Sequence, residues 1–132
     1  MPELTVTDLE RSLLFYRAAG WVVRFGRVDP PFAYLDLGEA QLMLEEEHNS
    51  AWNVAPLEYP FGRGMNLQIE VSDCGAIASS LARAGFQLLR PMSDNWYQTE
   101  AGIEEGQREV LAADPDGYLL RYSQPLGSRA LG

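Results

Sequence analysis

The sequence predicts an α+β fold built from two copies of a strand, a helix and three further strands, and three observations predict it. Two short motifs recur at one offset, a third recurs at another, and the chain closes on a hairpin around Asp114-Pro115-Asp116-Gly117. The first offset is 65, relating Val6-Thr7-Asp8 to Val71-Ser72-Asp73 and Ala19-Gly20-Trp21 to Ala84-Gly85-Phe86. The second is 78, relating Leu42-Met43-Leu44 to Leu120-Arg121-Tyr122, with the extra residues assigned to a loop.

Each element has a local reason. Alternation predicts a strand over Glu3 to Val6 and another over Asn66 to Val71. Thr7 with Glu10 three residues on reads as a capping box, and Leu9, Leu13 and Tyr16 form the apolar stripe of the helix that follows. In the second copy Asp73 is the cap and Ile77, Leu81 and Ala84 the stripe, while Gly20 and Gly85 end the two helices. Strand-rich sequence restarts at Trp21 and at Phe86; Phe32 to Leu37 and Gln41 to Glu45 close the first half. The tetrad 114–117, two acids, a proline and a glycine, is turn chemistry between the β-rich runs that start at Arg108 and end at Gln124. The result is a single domain of two βαβββ modules, about 1–47 and 64–124, with half-barrel sheets. A Pro- and Gly-containing linker over 48–63 joins them, and Gly127 to Gly132 reads as a frayed tail.

Composition narrows the function. With 132 residues, 46% hydrophobic and 22% charged, the chain can bury a core, and no apolar run approaches the ~20 residues of a membrane span. The formal charge of −9 disfavours nucleic acid and anionic membranes as partners and favours cationic ligands. A start of MPELTVTDLER shows no signal peptide, and the lone Cys74 has no disulfide partner, so the expected location is cytoplasmic.

Alternation also says which side chains share a face. Leu67, Ile69 and Val71 cover the helix; Asn66, Gln68 and Glu70 face the other way, onto a polar concave surface. Glu3 and Thr5, Gln41, Met43 and Glu45, and Leu119 and Arg121 take equivalent places, and Phe32 and Tyr34 look into the same groove. Trp96 and Tyr97, read as part of a loop before the last hairpin, add aromatic surface, as do Trp52, Tyr59 and Phe61 in the linker. His48 reads as a surface residue, Cys74 as core, and Glu46 and Glu47 as a solvated strand end.

The repeated unit, VTDLERSLLFYRAAGW and DPDGYLLRYSQ together resemble the vicinal oxygen chelate superfamily, which holds glyoxalase I, extradiol dioxygenases and the fosfomycin and bleomycin resistance proteins. EAQLMLE (39–45), the acidic charge and the DPDGYLLR ending resemble the bleomycin resistance proteins most. The resemblance implies a homodimer in which two chains share the clefts. It also implies four metal-ligand positions, which fall here on Met1, Met43, Asn66 and Arg121. Thioether, amide and guanidinium are poor ligands for a hard divalent ion, so no metal, no other cofactor and no catalytic residue is expected.

The expected function is therefore sequestration of a bulky, cationic, aromatic small molecule of the bleomycin type. Its expected ligand-binding residues are Phe32, Tyr34, Glu45, Asn66, Gln68, Glu70, Trp96, Tyr97 and Arg121. Two alternatives stay open: a metal-dependent glyoxalase- or dioxygenase-type enzyme with ligands such as Glu3, Glu45 and Glu70, and a binding protein for a small metabolite.

Overall fold

The computed structural model describes residues 1–131. The first half consists of β1 (Glu3–Val6), α1 (Leu9–Ala18), β2 (Val22–Val28), β3 (Pro31–Leu37) and β4 (Ala40–Glu46). The second consists of β5 (Leu67–Glu70), α2 (Cys74–Arg83), β6 (Arg90–Glu100), β7 (Ile103–Ala113) and β8 (Leu119–Ala130). Residues 47–66 between them carry no helix or strand. Two four-stranded sheets result, ordered β1-β4-β3-β2 and β5-β8-β7-β6, each with its first strand parallel to its last. This is the paired βαβββ arrangement that the repeat predicts.

The repeat is written into the register as well. Glu3 lies opposite Met43 and, 65 and 78 residues later, Gln68 lies opposite Arg121. On one face of each sheet the side chains are buried: Leu4, Val6, Leu35, Leu42 and Leu44 in the first, Ile69, Val110, Leu120 and Tyr122 in the second. They join Leu13, Phe15 and Tyr16 of α1 and Cys74, Ile77 and Leu81 of α2 in one continuous core. Phe15 meets Phe86 edge-on at 5.3 Å, and the Trp21 indole donates to the Tyr122 hydroxyl at 3.0 Å. Each fully buried leucine or tyrosine here contributes about 1.5–3 kcal/mol. Because both sheets turn their apolar faces to this shared layer, their other faces look outward, away from one another.

The Asp114–Gly117 turn is more than a hairpin closure. Asp114, buried, accepts from the Tyr16 hydroxyl at 2.6 Å and from the backbone N–H groups of Asp116 and Tyr118, both at 2.9 Å. Asp116 accepts from the Thr7 N–H (3.1 Å), the Thr7 hydroxyl (2.6 Å) and Arg11 Nη2 (3.0 Å). Gly117 has φ +95°, and a Cβ there would sit 2.5 Å from Pro60, so the turn also packs on the connecting segment. Two buried carboxylates thus fasten the last hairpin to the first helix.

Several expectations are corrected. Asp8, not Thr7, caps α1, accepting from the Arg11 N–H at 3.2 Å, because the Thr7 hydroxyl is committed to Asp116. Glu46 is not merely solvated: it accepts from the Leu9 N–H at 3.0 Å, at the start of the same helix. Ala84 is exposed as the C-cap of α2, and Cys74, Ile77 and Leu81 make the buried stripe. The last hairpin extends to Ala130 instead of fraying from Gly127 up to that residue, and Gly132 lies outside the described residues. Nor do the extra residues of the second half, or Trp96 and Tyr97, lie in a loop. The strand starts at Arg90 instead of Phe86, and β6 and β7 are 11 residues each where β2 and β3 have 7. A strand such as RPMSDNWYQTE escapes pattern reading because it is an edge, exposed on both faces over most of its length, with Pro91 where no ladder bond is required.

Candidate functional site

Two outward faces carry the candidate residues, and they differ in chemistry. On the first sheet, register places Phe25 opposite Tyr34, Tyr34 opposite Met43, and Phe32 opposite Glu45. Phe25 and Tyr34 stack at 4.9 Å with 25° between planes, and Phe25 is 52% exposed. Phe32 is less available: Phe25 at 6.1 Å and the Arg27 guanidinium at 4.4 Å leave it 5% exposed. Arg24 lies 5.6 Å from the Tyr34 ring and 3.5 Å from Asp36. Glu45 is engaged by His48, which is therefore drawn onto this face instead of standing free at the surface.

The second sheet has a polar centre. Glu109, almost fully buried, accepts from the Tyr97 hydroxyl and from Asn95 Nδ2 (3.1 Å), and its Oε2 lies 3.1 Å from Arg121 Nε. Arg121 donates through Nη2 to Gln68 Oε1 at 2.5 Å, while its buried Nε is out of line for a hydrogen bond to Glu109. The hydrogen bond that the Tyr97 hydroxyl donates to Glu109, with burial added, raises the Tyr97 pKa; Arg121 and Arg90 oppose the rise. Around the cluster a cavity of about 250 Å³ is lined by Asn66, Arg90, Ser93, Asn95, Tyr97 and Arg121, among others. A neighbouring one of about 300 Å³ shares Tyr97 and Arg121 and adds Gln68, Thr99, Glu105 and Gln107.

Of the nine expected ligand-binding residues, Asn66, Gln68, Tyr97 and Arg121 line this pair of cavities. Phe32, Tyr34 and Glu45 lie on the other sheet. Glu70 lines a separate crevice of about 820 Å³ with Gly38, Glu39, Asp73, Ile77 and Arg83, on the side of α2. Trp96 points the other way from Tyr97: it stands opposite Gly106, where a Cβ would come within 2.7 Å of its ring, and beneath Arg129, 3.9 Å from the ring centre. Sequence reading missed Phe25, Arg90, Asn95 and Glu109. Glu109 was within reach of it, since alternation from the buried Val110 puts Glu109 on the face of Arg121, one strand away. Cys74 is core as expected: its thiol contacts the carbonyls of Arg108 (3.2 Å) and Tyr122 (3.3 Å), and burial pushes its pKa up to about 11.

Two βαβββ sheets around a shared helical layer, with polar and aromatic outward faces, define the architecture of the chain. The chain belongs to the Glyoxalase/Bleomycin resistance protein/Dioxygenase superfamily, whose family model it matches over residues 2–122. Among solved structures it resembles TioX from Micromonospora sp. ML1, with TM-score 0.68, 23% identity and coverage of 96% of this chain and 98% of that one. A bleomycin-binding protein complexed with bleomycin gives TM-score 0.61 at 19% identity, covering 94% and 95%. A superfamily member from Alicyclobacillus acidocaldarius gives 0.65 at 17%, covering 96% and 90%. At these identities the likeness concerns the fold. Among curated proteins no match is found.

The divalent ion of the superfamily's enzymes does not fit the residues at its four expected positions. Arg121 brings a permanent positive charge held by Glu109 and Gln68, and Met43 brings a soft thioether. Among the described residues no three or more His, Cys, Asp or Glu side chains stand within reach of one ion, so Glu3, Glu45 and Glu70 do not form a replacement set. Among the same residues no helix is long and apolar enough to cross a membrane.

Proposed function

We propose that this chain is a binding protein that sequesters a bulky, planar aromatic small molecule of the bleomycin type, in grooves completed by a second copy. The observation that carries the reading is the Phe25–Tyr34 stack, a half-exposed aromatic platform on an outward sheet face, flanked by Arg24 and Phe32. A planar heterocycle gains about 0.5–1.5 kcal/mol from stacking on such a ring, beyond the apolar area it buries. Glu3 and Glu45 share that face, and the net charge of −9 favours cationic groups on the ligand.

The outward faces support a homodimer. One chain offers two open half-barrel sheets that cannot close on each other, because the helical layer lies between them. A two-fold partner would set the polar face of one chain against the aromatic face of the other. Turnover is no part of the reading, since the side chains at the expected metal positions do not suit a divalent ion. The two modules, about 1–47 and 64–124, would act as the two walls, each contributing one face to each groove.

The test combines assembly and binding. Sedimentation velocity at micromolar concentration is expected to show a dimer that binds one bleomycin per groove in the presence of chelator. A monomer that still binds the drug would remove the shared groove, and a dimer that ignores it would remove the ligand class.

A further inference from the structure

We propose that the cavity around Arg121 is a recognition site for a carboxylate borne by the aromatic ligand, so that the natural ligand is an aromatic acid or an amphoteric molecule with an acidic end. The proposal rests on the reading that the outward faces bind a small molecule, and it names the chemistry of one end of that molecule.

Local charge departs from the global charge at this point. In a chain of net charge −9, the 250 Å³ cavity is lined by two guanidinium groups, Arg90 and Arg121, and one carboxylate, Glu109. Glu109 accepts from Tyr97 and Asn95 and its charge is matched by the adjacent Arg121, so it has no need of a cationic ligand. Arg121 is held in place yet not saturated: Nη2 is committed to Gln68, and the buried Nε has a charge partner but no aligned hydrogen-bond acceptor. Arg90, among the described residues, forms no ion pair. The Tyr97 hydroxyl lines the same cavity as both guanidiniums. The amides of Asn66 and Asn95 and the hydroxyl of Ser93 complete a lining rich in donors. Two guanidinium groups lining one small cavity together with amide donors are the chemistry that receives a planar carboxylate, through charge-assisted and bidentate hydrogen bonds. The volume suits a head group, and the larger aromatic part would extend over Leu111 and Leu119 toward the aromatic platform of a second copy.

Three probes with one ring system test the idea: 2-naphthoate, 2-naphthamide and 2-naphthylmethylammonium. They are titrated by calorimetry into the intact protein, and the Arg Nε and aromatic resonances are followed by NMR. The acid is expected to bind roughly tenfold more tightly than the amide, and the ammonium more weakly than both. Saturation with the acid should shift the Nε signals of Arg90 and Arg121. Arg90→Gln is the clean variant, because Arg90 is exposed and, among the described residues, forms no ion pair; it should cut the acid's advantage to about threefold or less while sparing the amide. Arg121→Gln paired with Glu109→Gln avoids stranding a buried carboxylate and should abolish the advantage. Equal binding of acid and amide, tightest binding of the ammonium, no binding of the acid at millimolar concentration, or an unchanged preference in Arg90→Gln would each overturn the proposal. If the amide binds and shifts the Phe25 and Tyr34 signals without any advantage for the acid, only the carboxylate site fails. If the acid shifts both arginines while Phe25 and Tyr34 stay unmoved, the aromatic platform fails and the carboxylate site stands.

Discussion

Replacing Asp116 by Asn changes one oxygen for one N–H₂ group in a buried junction, and the structure says what that costs. Three donors converge on this carboxylate: the Thr7 N–H, the Thr7 hydroxyl and Arg11 Nη2. The best arrangement open to Asn keeps its oxygen on the Thr7 N–H and lets its amide donate to the Thr7 hydroxyl, which can reverse its role. Arg11 Nη2 then loses its carboxylate acceptor and keeps only the Thr7 hydroxyl, to which it also donates at 2.8 Å. Its side chain is 52% exposed and rehydrates, so this loss is about 0.5–1 kcal/mol. Loss of the formal charge weakens the two remaining hydrogen bonds by about 0.5–1 kcal/mol each, giving about 1.5–3 kcal/mol in total. For a chain of this length that lowers Tm by roughly 5–15 °C. Urea unfolding followed by tryptophan fluorescence should show a lower midpoint with an unchanged m-value, because the surface exposed on unfolding is the same. Thr7→Val should couple to the change by about 1 kcal/mol in a double-mutant cycle. A midpoint shift worth less than about 0.5 kcal/mol, or additive single mutants, would show that the hairpin and the first helix do not depend on this junction.

Other perturbations follow from the same contacts. Burial raises the pKa of the Tyr16, Tyr118 and Tyr122 phenols above the ordinary 10.0, Tyr118 to about 12. Their contribution to stability is complete below pH 10 and is lost as pH climbs from there toward the folded values, so alkaline unfolding should coincide with late-titrating tyrosine absorbance at 295 nm; smooth titration of all six tyrosines near pH 10 in a folded chain would refute this. Cys74 should resist a thiol reagent in the native protein at pH 8 and react at once in denaturant, since its pKa is about 11 and its side chain is buried; rapid native labelling would contradict the packing. Gly106→Ala should displace Trp96, whose ring stands within 2.7 Å of the added Cβ, and shift its fluorescence; an unaltered spectrum would mean the contact is absent.

How much of this was legible in the sequence depended on what each segment packs against. The repeat at 65 and 78 residues carried the topology because the same burial pattern is needed twice: Leu4 and Ile69 pair with Leu44 and Tyr122 at equivalent register positions. Capping at Asp73 and the turn at 114–117 were readable from local chemistry. The long β6–β7 hairpin was not, because beyond the core its strands have no buried face to impose alternation, and cross-strand pairing alone holds them. Asp114 and Asp116 were read as turn formers; that they are also buried acceptors depends on Tyr16 and Thr7, about a hundred residues earlier in the chain. The site was half legible. Strand parity identified Arg121, Gln68 and Asn66, yet it could not show that Glu109 neutralises the arginine, that His48 engages Glu45, or that Trp96 belongs to the opposite face from Tyr97.

The central claim, that the aromatic platform on the first sheet holds a planar small molecule, is tested most directly by calorimetric titration of metal-free bleomycin into chelator-treated protein, comparing the wild type with Phe25→Ala and Trp96→Ala. The account predicts saturable binding that Phe25→Ala weakens by about 0.5–1.5 kcal/mol, roughly 2- to 12-fold, and that Trp96→Ala leaves within about twofold, since Trp96 lies on the other face. Equal affinity in wild type and Phe25→Ala, or a loss confined to Trp96→Ala, would contradict it.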